Sequence, residues 1–386
     1  MSASPQFGAY ASPRGAARRA LAACDFDSLL AGAARLRGDR AALAASGEGV
    51  APTEAMTFAE LDAAATRLAA ALADGGLKAG DCALIAGAAD PATIVLLFGA
   101  ARAGLVTALA SAGAGASELE ACARECRADA LLAPAAIGPA RPVEALLTVA
   151  ARVDTVRLVG VWGGDAEGAA RLDIGPPDAP ALRAAPAPVV TFAQGRDGPV
   201  AIRHRQTTLA AAALDFLARA QIGAGLPLVA AVAPTRFAGL IAGPVASLLS
   251  GAMLRLHAPF SADALVAAIR DCQPAHLILP AALGADMARR ARAERLRLAS
   301  LVLVGDDGAG TIDADAAIVD IRRVGEIAAP AERRDERGRR AAFPGPAHVV
   351  PLAEDELEAI EARPAAGGGW EWKGAAVTGG EDWTRA

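Results

Sequence analysis

Short apolar runs alternate with segments of helical period along this chain, and this alternation limits the possible folds more than any other feature. Thr57 is followed three residues later by Glu60, which is a capping-box pattern. Apolar residues then recur at helical spacing as far as Leu72. Short runs typical of buried strands follow at 82–86, 105–109 and 129–133. Helices with strands between them at these intervals favour a mostly parallel sheet.

A second alternating series begins after the Pro- and Gly-rich stretch 175–188. Its predicted strands are 189–192, 228–233, 253–257, 276–279 and 301–304. We therefore predict the α/β class, with two doubly wound α/β subdomains in five layers (αβαβα) and a partial small β subdomain. The expected boundaries are a loose N-terminal arm at 1–20, a first α/β subdomain at 21–180, a second at 181–330, and a truncated β subdomain at 331–386.

The composition of the chain argues against several classes of protein. Hydrophobic residues make up 54% of the chain and aromatics only 4%, so the core is expected to be built from many small contacts, chiefly alanine. The net charge of -5 is small and mixed, which indicates no nucleic-acid partner. Neither a membrane-spanning run nor a secretory signal is evident in the sequence, and we expect a cytoplasmic location. The five cysteines form no Cys-x-x-Cys pair and are expected to be ordinary buried thiols.

Long ordered stretches carry a family resemblance. The first is MTFAELDAAATRLAAALADGGLKAGD, followed by DCALIAGAADPATIVLLFGAARAGLVTALA and SAGAGASELEACARECRADALLAP. In this order they resemble the opening of the adenylate-forming superfamily of acyl-CoA synthetases, luciferases and peptide-synthetase adenylation domains. The later PTRFAGLIAGPVASLLSGAMLRLHAPFSADALVAAIRDCQPAHLILPAAL is similar to the segment before the family's adenine-binding region. The resemblance implies the family's fold, an AMP-forming acid–thiol ligase, and ATP or AMP, magnesium and coenzyme A as its ligands, although fold alone does not establish activity.

The family's phosphate loop corresponds to residues 190–199. By resemblance, Thr191, Gly195 and Arg196 are the candidate nucleotide-binding residues there. Phe192 stands where the family has glycine, and Gly198 stands where it has lysine. Either Arg196 or Arg203 offers a route to replace the lost charge. The alternative, which we favour, is a plain strand-to-helix loop.

The adenine and magnesium motifs match only in part. Gly305 keeps the first glycine of the adenine motif, and Asp306 takes the second place. In the next motif only Glu326 is retained, which is the magnesium-associated and catalytic position by resemblance, while Arg322 lies where an aromatic floor for adenine is expected. A solvated turn is the simpler interpretation of the first motif.

The acyl side of the resemblance falls on residues 234–239. Arg236, Phe237 and Gly239 are the candidate acyl-pocket residues, although an aromatic such as Phe237 more often belongs to the core. The ribose-binding aspartate is not found, and the family's lysine-bearing C-terminal domain is expected to be absent.

Three functions follow from these matches. The first is a divergent acyl-CoA synthetase-like protein without autonomous adenylation activity, which acts as a non-catalytic partner or scaffold. The second is acid–CoA ligase activity completed by a C-terminal domain in trans, and the third is a sensor of an acyl or nucleotide ligand. The corresponding partners are an active synthetase, a separate C-terminal domain, or a second copy of this chain. The sequence contains no GxSxG, HExxH or GxxxxGK[ST] motif that would indicate another chemistry.

Overall fold

The computed structural model of the protein describes residues 14–50, 54–173, 184–305, 310–340, 345, 347–352, 355–366 and 368–385. The helices are α1 (Arg14–Ala22), α2 (Phe26–Arg37), α3 (Phe58–Asp74), α4 (Pro91–Arg102), α5 (Ala116–Cys126), α6 (Val143–Ala150), α7 (Gln206–Ala220), α8 (Phe237–Leu240), α9 (Ala246–Ser250), α10 (Ala262–Cys272) and α11 (Gly284–Ala293). A π-helical segment, Ile241–Val245, joins α8 to α9, and a 3-10 turn, Ala281–Leu283, precedes α11.

The strands complete the set of elements. They are β1 (Ala41–Ser46), β2 (Met56–Thr57), β3 (Cys82–Gly87), β4 (Val106–Ser111), β5 (Ala130–Pro134), β6 (Leu158–Trp162), β7 (Ala170–Arg171), β8 (Val189–Gln194), β9 (Pro199–His204), β10 (Leu228–Ala230), β11 (Leu254–His257), β12 (Ala275–Pro280), β13 (Leu298–Gly305), β14 (Ala317–Arg322), β15 (Ala331–Arg333), β16 (His348–Leu352), β17 (Asp355–Pro364), β18 (Trp370–Lys373) and β19 (Thr384–Arg385).

Across the described ranges these strands form three sheets. The order is β7-β6-β5-β3-β4-β8-β9 in the first sheet and β15-β14-β13-β12-β10-β11-β1-β2 in the second. Both are mostly parallel, with antiparallel pairs at their edges. The third sheet is antiparallel, in the order β16-β17-β18-β19. The predicted α/β class with a small β subdomain is therefore confirmed.

Apolar side chains separate into layers around the two large sheets. The central core lies between the sheets and contains Leu68 of α3, Leu96 of α4 and Phe216 of α7. The outer face of the first sheet packs under α5 and α6, and the outer face of the second packs under α10 and α11. Because each sheet is covered on both faces, its strands consist of almost continuous apolar residues. The five-layered αβαβα arrangement is confirmed.

The sheets divide the chain differently from the predicted subdomain boundaries. β1 lies before residue 180 but pairs in parallel with β11 of the second sheet, with Leu43 opposite Leu254. β8 lies after residue 180 but pairs in parallel with β4 of the first sheet, with Ala108 opposite Val190. Similarly, β15 begins at Ala331 but joins the second sheet through β14. Pairing between strands distant in sequence sets these memberships, and a local hydrophobic pattern does not report it.

Local signals near the N-terminus gave one confirmed element and one error. Thr57 caps α3, and its backbone and hydroxyl both donate to the Glu60 carboxylate, as the capping box predicted. The loose arm predicted for residues 1–20 is wrong over residues 14–20, which lie in α1; residues 1–13 lie outside the described ranges. Ala17 and Leu21 lie one helical turn apart and join the central core, which provides the packing that holds the helix in place.

Two buried polar contacts join elements across the molecule. Arg102 at the end of α4 is buried, and its guanidinium donates to Asp27 of α2 and to Asp62 of α3. His348 of β16 lies 2.9 Å from the Asp215 carboxylate of α7, measured from Nδ1 to Oδ2. The second contact attaches the small sheet to the central helical layer. No helix within the described ranges has the length and apolarity needed to cross a membrane.

Candidate functional site

The segment expected to be a strand-to-helix loop is a β-hairpin. β8 and β9 pair antiparallel, with Thr191 opposite Ile202, and the Gly195 N–H donates to the Gly198 carbonyl at 2.9 Å to close the turn. Arg196 is exposed at this turn. Side chains alternate along a strand, so Phe192 enters the core under α5 while Thr191 faces the opposite side. The Phe192 ring therefore does not crowd the face on which Thr191 lies.

Glu326 lies at the centre of the site, in the turn that follows β14. Its side chain is buried, and Oε2 accepts hydrogen bonds from Thr191 Oγ1 at 2.9 Å and from the Phe237 N–H at 2.8 Å. Its Oε1 lies 3.3 Å from Arg236 Nη1, which also donates to the Phe192 carbonyl at 2.6 Å. Hydrogen-bond donors therefore approach both carboxylate oxygens.

His204, the last residue of β9, extends this network. Its Nε2 lies 2.8 Å from Thr191 Oγ1, and its Nδ1 lies 2.7 Å from Thr378 Oγ1. The Phe237 ring packs against the imidazole with the ring centroids 5.0 Å apart. Burial lowers the pKa of His204 to about 3, so the ring is neutral near pH 7.

The proton positions in this chain of contacts follow from which groups can donate. An ionised Glu326 only accepts, so the Thr191 hydroxyl proton points toward it. The Thr191 oxygen must then accept from His204 Nε2–H, which leaves Nδ1 to accept from the Thr378 hydroxyl. We refer to Thr191, His204, Arg236, Glu326 and Thr378, together with the Phe237 N–H, as the Glu326 cluster. It connects both strands of the hairpin, the start of α8, the turn after β14, and the loop after β18.

The start of α8 explains why residues 236–239 approach Glu326. The first N–H groups of a helix have no partner within the helix, and Glu326 satisfies the one at Phe237. Two residues later, a Cβ built on Gly239 would lie 2.2 Å from the Ala233 carbonyl oxygen, so the chain turns too tightly for any side chain there.

The structure brings together only some of the residues that the sequence indicated. Thr191, Arg236 and Glu326 meet directly, whereas Phe237 joins through its backbone and its side chain is buried. Gly195 and Arg196 lie at the hairpin turn, and Gly305 ends β13, where its carbonyl accepts from the Arg323 N–H. Gly239 has a packing role beside Ala233. Asp306 lies outside the described residues. The nucleotide and acyl roles of these residues therefore stay predictions.

Sequence reasoning missed two members of the Glu326 cluster. His204 lies just after the segment 190–199 that resembles the phosphate loop, but its partners depend on the β8–β9 pairing, which was not predicted. Thr378 joins from the small sheet's loop, and its N–H donates to the Ile327 carbonyl at 2.8 Å. Nothing in the local sequence around Thr378 signals this contact.

The groups around Glu326 do not fit a magnesium ion. Magnesium takes oxygen ligands in a near-octahedral arrangement. Here Glu326 is met by an amide N–H, a hydroxyl proton and a guanidinium, and the guanidinium would repel a cation. In the described part of the chain, no group of three or more His, Cys, Asp or Glu side chains could hold a metal ion.

Comparison with known proteins agrees with this architecture. A family model described as AMP-binding enzyme matches residues 30–317. No curated protein gives a significant match. Many solved structures are similar in fold. The apo structure of MbtA from Mycobacterium smegmatis is 21% identical, with a TM-score of 0.73 over 95% of this chain and 71% of that one. The N-terminal domain of FACL13 from Mycobacterium tuberculosis is 16% identical, with a TM-score of 0.72 over 93% of this chain and 91% of that one.

A third structure is similar at the same level. A benzoate CoA ligase from Burkholderia xenovorans LB400 is 19% identical, with a TM-score of 0.70 over 94% of this chain and 76% of that one. At such identities these likenesses show the fold alone. The family match covers most of the chain and agrees with the resemblance seen in the sequence. The chain therefore belongs to the AMP-binding enzyme family.

Proposed function

We propose that this chain is a member of the AMP-binding family that lacks autonomous adenylation activity and acts as a non-catalytic partner or scaffold. The observation that carries the proposal is the bonding of Glu326. Its carboxylate, at the magnesium position by resemblance, is buried and bound to Thr191, the Phe237 N–H and Arg236.

Arg236 supplies the positive charge that a metal ion would bring to this carboxylate. A divalent cation held by both oxygens of Glu326 would have to displace the guanidinium from Oε1 and compete with the Phe237 N–H for Oε2. A buried N–H left without a partner costs about 1–3 kcal/mol. Metal binding would also place a second cation beside Arg236, which opposes it further.

The hairpin supports the same conclusion. Backbone N–H groups are the usual donors to phosphate in a glycine-rich loop. Here the Gly195 N–H donates to the Gly198 carbonyl within the turn, so it is already used. Gly198 lies where the family has lysine, and Arg196 provides charge only at the exposed tip.

The test is exchange of labelled pyrophosphate into ATP by the purified chain, with a panel of aromatic and aliphatic carboxylic acids and with magnesium. We expect no acid-dependent exchange above background. Calorimetry with ATP, AMP and acyl-CoA esters on the same protein separates a scaffold from a sensor. Acid-dependent exchange would overturn the proposal, whereas tight binding of an acyl-CoA without exchange would replace the scaffold role by that of a sensor.

The partner role is tested by adding the chain to purified active synthetases encoded in the same genome. A specific change in the rate or stability of one of them, saturating at a defined ratio, is the expected result. If none of these synthetases responds, the partner role is wrong.

A further inference from the structure

A pocket of about 280 Å³ lies at the edge of the second sheet opposite the Glu326 cluster. β10, β12, β13 and β14 are parallel neighbours, so their amino ends lie side by side. One residue at or near each of these amino ends lines the pocket: Leu226, His276, Ala299 and Ala317. The pocket lies at the amino end of β14, whereas the turn that carries Glu326 follows its carboxyl end. β14 has six residues. At about 3.3 Å per residue, the strand separates the two sites by roughly 16–20 Å. The pocket is therefore distinct from the Glu326 cluster.

The polar groups of the pocket come from three different elements. Gln221 is the left-handed residue that ends α7, Arg333 ends β15, and His276 lies near the start of β12. Arg333 Nη1 donates to Gln221 Oε1. Both Arg333 and Gln221 are exposed to solvent. No acid is among the described residues that line the pocket, so no lining carboxylate neutralises the Arg333 guanidinium.

This bonding determines what the pocket offers to a ligand. A guanidinium carries five N–H donors, and only part of that set is used by Gln221. Because Gln221 Oε1 accepts from Arg333, the amide nitrogen of Gln221 is the end left to donate. His276 is buried, its Nδ1 lies 2.8 Å from Ser300 Oγ, and burial lowers its pKa, so it contributes a neutral ring. The pocket therefore presents one positive charge and an adjacent amide donor.

We propose that this pocket binds a small carboxylate, with the anionic group between Arg333 and Gln221. Arginine forks match the planar geometry of carboxylates, and the amide N–H adds a second donor direction. The other lining residues are small and apolar, such as Ala299 and Ala317, which suits a short aliphatic chain or one aromatic ring. The volume of about 280 Å³ lies just below the ~300–1,000 Å³ of most ligand pockets, which suits a small ligand. The inference does not depend on the function proposed above.

The test is a calorimetric and saturation-transfer NMR titration of the whole chain with butyrate and benzoate. We expect saturable binding that falls at least about tenfold in Arg333→Ala, because a charge-assisted contact is lost. Gly225→Phe is expected to block binding, since this residue lines the pocket and a Cβ there meets nothing within 4 Å. Arg337→Ala, which removes another exposed arginine of the same region, is the matched control and should bind as the unchanged protein does.

Three results would overturn the proposal. The first is no saturable binding of either acid. The second is binding that Arg333→Ala and Gly225→Phe leave unchanged while both variants keep the far-ultraviolet circular dichroism of the parent, which would place the acid elsewhere. The third is equal binding of benzamide, or tighter binding of inorganic phosphate, which would show that the pocket does not select a carboxylate. Pyrophosphate exchange is not measured here, so the outcome is independent of whether the chain has adenylation activity.

Discussion

Replacing Glu326 by alanine is the sharpest test of the Glu326 cluster. The substitution removes two buried hydrogen bonds to Oε2, at 2.9 Å from Thr191 and 2.8 Å from the Phe237 N–H. A hydrogen bond to a charged group contributes about 1.5–3 kcal/mol, and the buried donors left behind lose their partner. The Arg236 side chain is 46% exposed, so its ion pair adds no more than about 1 kcal/mol. Together these contributions give an expected loss in the free energy of unfolding of about 3–7 kcal/mol.

Glu326→Gln removes the carboxylate charge but keeps the shape of the side chain, so it isolates the contribution of the charge to stability. The amide keeps one oxygen that can accept from Thr191 and Phe237, but its NH₂ end meets the Arg236 guanidinium, where two donors face each other. We expect about half the loss of the alanine variant, which is about 2–3 kcal/mol. Glu336→Ala, at an exposed glutamate, should change the free energy of unfolding by less than about 0.5 kcal/mol.

The measurement is urea unfolding in EDTA, followed by circular dichroism and by tryptophan fluorescence. EDTA matters because it removes any contribution from a divalent cation. If Glu326→Ala unfolded within about 0.5 kcal/mol of the parent, the hydrogen bonds described here would not be stabilising. If it were more stable than the parent without metal, Glu326 would be an uncompensated carboxylate kept for a cation, and the argument for an inactive site would fail.

Three further predictions concern packing and pH. Gly239→Ala should lower the free energy of unfolding by at least about 2 kcal/mol, since its Cβ would lie 2.2 Å from the Ala233 carbonyl oxygen. Gly243→Ala, in the π-helical segment that follows α8, has room for a Cβ and should be neutral or slightly stabilising by calorimetry. Burial lowers the pKa of His204 from 6.5 to about 3, so between these pH values only the unfolded chain takes up that proton. The contribution of His204 to the free energy of unfolding should be complete above pH 6.5 and should fall toward pH 3 by up to ~1.4 kcal/mol per pH unit. In urea titrations, His204→Gln should therefore show a shallower dependence of stability on pH. Arg102→Leu should cost about 2–4 kcal/mol in the same assay, because it leaves two partly buried aspartates without their cation, and an unchanged midpoint would contradict this.

Local sequence patterns determined the elements and the class of fold. The α3 helix begins where Thr57 and Glu60 form their capping box, because this signal depends only on residues three apart. The apolar run 82–86, for example, predicts a buried strand, and the structure has the buried strand β3 there (Cys82–Gly87). The motif resemblance also indicated Thr191 and Glu326 separately, from short stretches 135 residues apart.

Only the tertiary structure decided how these pieces meet. The pairing of β1 with β11 of the second sheet, and of β8 with β4 of the first, comes from contacts between residues distant in sequence. The β8–β9 hairpin is local, but the position of Thr191 opposite Ile202 in it is fixed only by the strand pairing. The bonds among Thr191, His204, Glu326 and Thr378 depend on that pairing, and so does the approach of Arg236 to the carboxylate. A sequence can show that a glutamate is present at a family position. Whether that carboxylate is open to a cation or already satisfied by an arginine and an amide depends on burial and distance, which exist only in the folded chain.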